Sequence, residues 1–104
     1  MSDKTFTPAA TLDQLPPDTK LVVTLGGMPI LLCHTAERIY AVRNECSHAH
    51  EALDCGRMKY GWISCPVHGA RFDLETGDPL NPPATEPLQT FAVRIVGKTI
   101  EVAV

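Results

Sequence analysis

Apolar residues along this chain come in short, β-branched runs broken by turn residues, and nowhere do they recur with a sustained helical period. Nine prolines and seven glycines punctuate the sequence throughout. Thr19 to Leu25 reads as a strand, Gly26-Gly27 as a tight hairpin turn, and Met28 to His34 as the returning strand. Thr35-Ala36-Glu37 marks the next turn and Arg38 to Arg43 a third strand, which completes a meander. From Asn44 to Asp73 the pattern loosens, leaving a short strand over Tyr60 to Ser64 and another over Phe72 to Leu74. Glu75-Thr76-Gly77-Asp78 then turns the chain into the proline-rich run Pro79 to Pro87. A final hairpin joins Leu88 to Val96 with Thr99 to Val104 through Gly97-Lys98, and Leu12 to Leu15 makes at most one helical turn before Pro16-Pro17. Short strands at fairly even spacing predict an all-β antiparallel sandwich or partly open barrel, with the loop-rich middle segment as an excursion at one end.

Composition narrows the class. The 104 residues make one domain, 1–104, large enough for one hydrophobic core, and a 44% hydrophobic, 20% charged balance is that of a folded globular protein. A net charge of −3 carries no footprint for nucleic acid. The segment Met1 to Pro8 has no apolar run of signal-peptide length, Asp3 stands where a basic region belongs, and no stretch approaches a membrane span. The expectation is a soluble, cytoplasmic monomer with no membrane or nucleic-acid partner.

Two motifs in the loosened segment carry chemistry. Cys46-Ser47-His48 is followed, after sixteen intervening residues, by Cys65-Pro66-Val67-His68. One Cys and one His from each of two loops give two thiolates and two imidazoles, which suits a mixed-ligand [2Fe–2S] centre with both cysteines on one iron and both histidines on the other. Zinc accepts the same donor types, but its sites usually place two to four residues between paired ligands, and Cys46 and His48 have one. A Cys46–Cys65 disulfide would require an oxidising compartment that no export signal suggests.

This C-x-H…C-x-x-H pattern closely resembles the signature of Rieske iron–sulfur proteins. The likeness extends to Leu53 and Gly56, to Phe72-Asp73-Leu74-Glu75-Thr76-Gly77, to Pro82-Pro83 and to the closing hairpin, and is strongest with soluble Rieske ferredoxins. It implies a Rieske fold with a two-loop cluster-binding subdomain, roughly residues 44–74. One [2Fe–2S] cluster of Rieske type would be held by Cys46 and Cys65 on the inner iron and His48 and His68 on the outer one. It also implies a one-electron carrier, not itself an enzyme. A flavoprotein ferredoxin reductase fed by NAD(P)H would load it, and the terminal Rieske non-haem iron oxygenase of an aromatic-hydrocarbon-degrading system would unload it. The small subunit of assimilatory nitrite reductase resembles the same domain and is the nearest alternative; a zinc-stabilised binding module is the alternative from another class.

The resemblance also bears on potential. Glu51 and Val67 stand where high-potential relatives carry a disulfide, and Ala70 and Phe72 where they carry a serine and a tyrosine hydroxyl. A centre lacking those donors is expected near the bottom of the Rieske range, at roughly −150 mV. Gly69 is expected to let the backbone pass close to the cluster, Pro66 to stiffen the second loop, and Trp62 with Phe72 to close an apolar shell at its base. Cys33 reads as a buried small hydrophobe, Cys55 as a passenger thiol, His50 as a surface residue beside His48, and His34 as solvent-facing. Arg43, Arg57, Lys59, Glu51 and Asp54 form a mixed-sign surface, and Ala49, Pro66 and Val67 an apolar contact tip.

Overall fold

The computed structural model describes residues 5–36, 38–47, 51–59, 61–67, 69–82 and 86–104. Glu37, Tyr60 and Pro83, expected in a turn, a strand and the proline run, lie outside them. The meander forms as its turn chemistry demands: β2 (Thr19–Leu25) and β3 (Met28–His34) pair antiparallel in unbroken register, and β4 (Ile39–Arg43) pairs with β3. Gly26 and Gly27 both take positive φ, 59° and 79°, which is what a two-residue primed turn requires. Leu12–Gln14 is a single 3-10 turn, with the Thr11 N–H donating to Gln14 Oε1 at 2.9 Å.

A strand that the pattern concealed precedes it. β1 (Phe6–Thr11) pairs with the last strand, β10 (Thr99–Ala103), although Pro8 lies within it. β1 is an edge strand, where a proline deprives no neighbour of a donor, and the register shifts between Pro8 and Ala10, as at a bulge. The expected strand over Leu88 to Val96 is in fact two. β8 (Thr90–Phe91) pairs with β4, the ladder breaks at Ala92, and β9 (Val93–Val96) pairs with β10. This change of partner carries the chain from one sheet to the other, so the sheet orders are β2-β3-β4-β8 and β1-β10-β9.

The excursion folds as a small third sheet of β5 (Met58–Lys59), β6 (Trp62–Ser64) and β7 (Arg71–Asp73) in that order. Opposed positions in a sheet share a face, so each row across the meander serves one side of it. Leu32 and Ala41 pack with Ile30, Leu15, Ile100 and Val102 against the terminal sheet. Leu31, Val42 and Cys33 face the other way and pack with Leu53, Ile63, Phe72 and Leu74 of the excursion. The all-β antiparallel architecture is as expected. The excursion also shares a core with one face of the meander.

Candidate metal centre

Each ligand loop begins at a buried cysteine and is closed in the same way. The Cys46 N–H donates to the Glu51 carbonyl at 2.7 Å, and the Cys65 N–H to the Ala70 carbonyl at 2.6 Å. In both cases the amide reaches the carbonyl five residues on, so the two loops close over the same span. Neither cysteine is in a disulfide, both are fully buried, and both belong to the apolar core containing Leu53, Ile63 and Phe72. None of the four cysteines is in a disulfide, which removes the disulfide alternative.

From these buried starts the chain runs outward: Ser47 is half-buried and Glu51 exposed in the first loop, and Pro66, Val67 and Gly69 are exposed in the second. His48 and His68, like Ala49 and His50, lie outside the described residues. Among the described residues, no three Cys, His, Asp or Glu side chains converge as a metal site. The two thiols stand at the bases of loops whose tips carry the expected histidines in sequence.

The segment between the loops is held tightly against β6. A Cβ on Gly56 would lie 1.7 Å from the Ser64 carbonyl oxygen, so only glycine permits this approach. Ser64 and Arg57 add a reciprocal link, Ser64 N–H to the Arg57 carbonyl at 2.8 Å and Arg57 N–H to Ser64 Oγ at 3.0 Å. Cys65 is the next residue, so this clamp fixes where the second loop starts. Gly69 takes a φ of +72°, in the left-handed region that favours glycine, and no described protein atom would crowd a Cβ there.

Two asparagines that sequence reasoning passed over secure the loops. Asn44, the one buried polar side chain among the described residues, accepts the Leu53 N–H on Oδ1 at 2.8 Å and donates from Nδ2 to Asp54 at 3.3 Å. Asn81 accepts the Arg71 N–H at 2.6 Å and donates to the Gly69 carbonyl at 3.4 Å. Asn81 belongs to the proline-rich run, whose far end accepts the Ser47 hydroxyl on the Glu86 carbonyl at 2.6 Å. The run thus touches both loops. It is closed at its base by the Leu88 N–H on the Gly77 carbonyl at 2.8 Å, and a Cβ on Gly77 would come within 2.3 Å of the Leu88 carbonyl. An asparagine before the first motif is the only sequence signal for the one clasp; nothing local announces the other.

Phe72 is fully buried beside both cysteines, as expected, but Trp62 is not part of that core. Its half-buried ring carries the Arg71 guanidinium 5.2 Å from its centroid, a cation–π contact on the surface of the excursion. Cys33 is fully buried in the same core, and burial pushes its thiol up from 9.0 to about 12. His34 corrects an expectation: instead of facing solvent freely, its Nδ1 is 2.8 Å from the Leu15 carbonyl, to which it donates. Of the mixed-sign residues, Arg57, Lys59 and Glu51 are exposed; Asp54 is tied to Asn44, and Arg43 pairs with Glu45 at 3.1 Å.

Residues 5–92 match the sequence model of the Rieske [2Fe-2S] domain. The chain belongs to the Rieske family. Its cofactor is a [2Fe–2S] cluster of Rieske type, and two buried cysteines outside any disulfide, each opening a loop, fit that group. The anthranilate 1,2-dioxygenase ferredoxin subunit of Burkholderia cepacia is 32% identical over 97 residues, covering 93% of this chain and 90% of the relative. Among solved structures, the ferredoxin of carbazole 1,9a-dioxygenase from Nocardioides aromaticivorans IC177 superposes with a TM-score of 0.89 at 36% identity, covering 95% of this chain and 97% of that one. A chain from a complex of reduced oxygenase and oxidized ferredoxin in carbazole 1,9a-dioxygenase gives 0.88 at 27% identity, covering 97% and 94%. A putative NADH-dependent nitrite reductase small subunit from Mycobacterium tuberculosis, at 22% identity and a TM-score of 0.84 over 98% of this chain and 96% of its own, shares the fold alone.

Proposed function

We propose that this Rieske protein is a soluble, cytoplasmic one-electron carrier, the ferredoxin component of an aromatic-ring oxygenase system, and not itself an enzyme. In this reading 1–104 acts as one domain and as a monomer. A flavoprotein reductase drawing on NAD(P)H loads it, and a terminal Rieske non-haem iron oxygenase unloads it. The observation that carries the reading is the pair of loops that each start at a buried cysteine and close over the same five-residue span, with exposed Glu51 in one and exposed Pro66 and Val67 in the other. When bound, the cluster supplies a one-electron couple. Cys46 and Cys65 would hold one iron from the apolar core, and His48 and His68 would hold the other. Neutral imidazoles raise the potential of the iron they bind, so the histidine-held iron would be the easier one to reduce. Pro66 and Val67, the latter 46% exposed, offer a small apolar contact there, as a transient carrier requires. Dioxygenase ferredoxins at 32–36% identity support this role above that of a nitrite reductase subunit, whose likeness is one of fold.

The potential is proposed to be low, at roughly −150 mV. Glu51 and Val67 cannot form a bridge across the loops, and neither Ala70 nor Phe72, both fully buried, carries a hydroxyl. EPR of the dithionite-reduced protein, with iron and sulfide analysis, tests the assignment. A rhombic signal of low average g with two irons is expected; colourless protein holding stoichiometric zinc overturns it. A midpoint above zero overturns the low-potential reading. Reduction by NADH in the presence of a ferredoxin reductase, followed by reoxidation by a ring-hydroxylating oxygenase, tests the place in the chain.

A further inference from the structure

A single lysine joins the meander to the turn between the ligand loops. Lys20 lies on β2, at the edge of its sheet, directly opposite Cys33 on β3, which in turn lies opposite Tyr40 on β4. Opposed positions share a face, so Lys20 belongs to the side of the meander that carries the thiol-bearing core. Its half-buried side chain donates from Nζ to the Gly56 carbonyl. Gly56 closes the turn that begins at Leu53, through its N–H on the Leu53 carbonyl at 2.8 Å, and rests against the backbone of Ser64, the residue before Cys65. Leu53 is fully buried with Cys46 and Cys65. The ammonium therefore sits on the turn between the two cysteine-bearing loops, and that turn lies against Ser64, the residue before Cys65. Asp54, in the same turn, is an opposing charge, and Asn44 holds it through Nδ2 at 3.3 Å.

We propose that Lys20 is a positioning residue for electron transfer, pinning the inter-loop turn and, through its positive charge, biasing the iron–sulfur centre toward the reduced state. The proposal rests on the Rieske-carrier reading above. Reduction adds one negative charge to the centre, and a fixed cation nearby stabilises that state, so removing the cation lowers the potential. At partial exposure the interaction is screened. It corresponds to a roughly threefold to tenfold change in the reduced-to-oxidised ratio at a fixed potential.

The test is a redox titration of the cluster-loaded protein and three variants, with EPR recorded on the same samples. Lys20→Met removes the donor and the charge, Lys20→Gln keeps a donor without the charge, and Lys20→Arg keeps both. Lys20→Met and Lys20→Gln are expected to titrate about 30–60 mV more negative than the parent, from that ratio at 59 mV per tenfold. Lys20→Arg is expected to match the parent, and the gap is expected to narrow with added salt. A Lys20→Gln potential equal to the parent's, or a Lys20→Arg potential as low as that of Lys20→Met, overturns the proposal. If Lys20→Met fails to hold the cluster, Lys20→Gln and Lys20→Arg still decide it. The EPR spectrum of the parent protein separates the two readings: a Rieske signal with no Lys20 effect sinks only this proposal, whereas no Rieske signal sinks the carrier reading itself.

Discussion

The two faces of the meander support cores of different kinds. On one face, Leu15, Ile30, Leu32, Ala41, Ile100 and Val102 are packed as an aliphatic layer. On the other, three of the buried side chains are thiols, Cys33, Cys46 and Cys65, set among Leu53, Ile63 and Phe72. The first core is held by strands of up to seven residues in continuous register. The second depends on strands of two and three residues and on loop closures through single hydrogen bonds. A sheet that small is marginal alone. The difference teaches that the base is held by long ladders and packing, whereas the excursion has packing but only short ladders, so a group bound by its thiols is expected to add to its order.

Removing a ligand breaks this comparison most sharply. Cys46→Ser or Cys65→Ser is expected to abolish iron binding and visible absorbance completely. Hydrogen exchange should then rise across residues 44–74, while β2, β3 and β10 keep their protection. Chelation of iron from the parent protein should give the same map. Loss of protection in both regions together would show a single cooperative unit and end the division drawn here.

Equivalent cavities in the two cores sharpen it. Ile100→Ala and Leu53→Ala each delete a fully buried aliphatic side chain and are each expected to cost about 2–5 kcal/mol. Only Leu53→Ala should hasten iron loss to a chelator, and Ile100→Ala should leave the EPR spectrum and midpoint unchanged. Thermal melts paired with chelator kinetics read both effects.

How much of this was legible in the sequence differs between the same two regions. The meander was, because Gly26-Gly27 dictates its turn and the flanking runs pair without interruption. The Rieske family was, because thiol and imidazole in mirrored spacing have few other uses. β1 was hidden because Pro8 argues against a strand until an edge position and a register shift make it harmless. The split at Ala92 was hidden because an unbroken apolar run does not say which neighbour each half will find. Asn44 and Asn81 were hidden for a related reason: their work is done on amides and carbonyls at positions 53, 69 and 71, and that is information about the fold.

Phe72 tests the redox side of the thiol-bearing core with a smaller change. It is fully buried, and its backbone pairs with Ile63 on one side and bridges to Pro79 on the other. Phe72→Tyr places a hydroxyl in that core; bonded to a cluster sulfur, it would stabilise the reduced state and raise the midpoint. The expected result is a more positive potential with little change in melting temperature. An unchanged potential with a lower melting temperature, as an unpaired hydroxyl costing about 1–3 kcal/mol would give, means the ring edge faces away from the centre.

The smallest effect concerns the thiol that neither motif uses. Cys33 stands in the excursion's core but on a meander strand, and burial raises its thiol to about 12 from 9.0, with Lys20 pulling weakly the other way. Between those values the folded chain keeps the proton and the unfolded chain loses it. Its contribution to stability is therefore complete below about pH 9 and declines as the pH rises toward 12. Within that window the slope is about 1.4 kcal/mol per pH unit for this one group. The melting temperatures of the parent and Cys33→Ala should therefore differ by a constant amount up to about pH 8.5 and shift against the parent above it. A constant difference across the whole range would mean that the meander's own thiol is open to solvent and not sealed within the core it shares with the ligands.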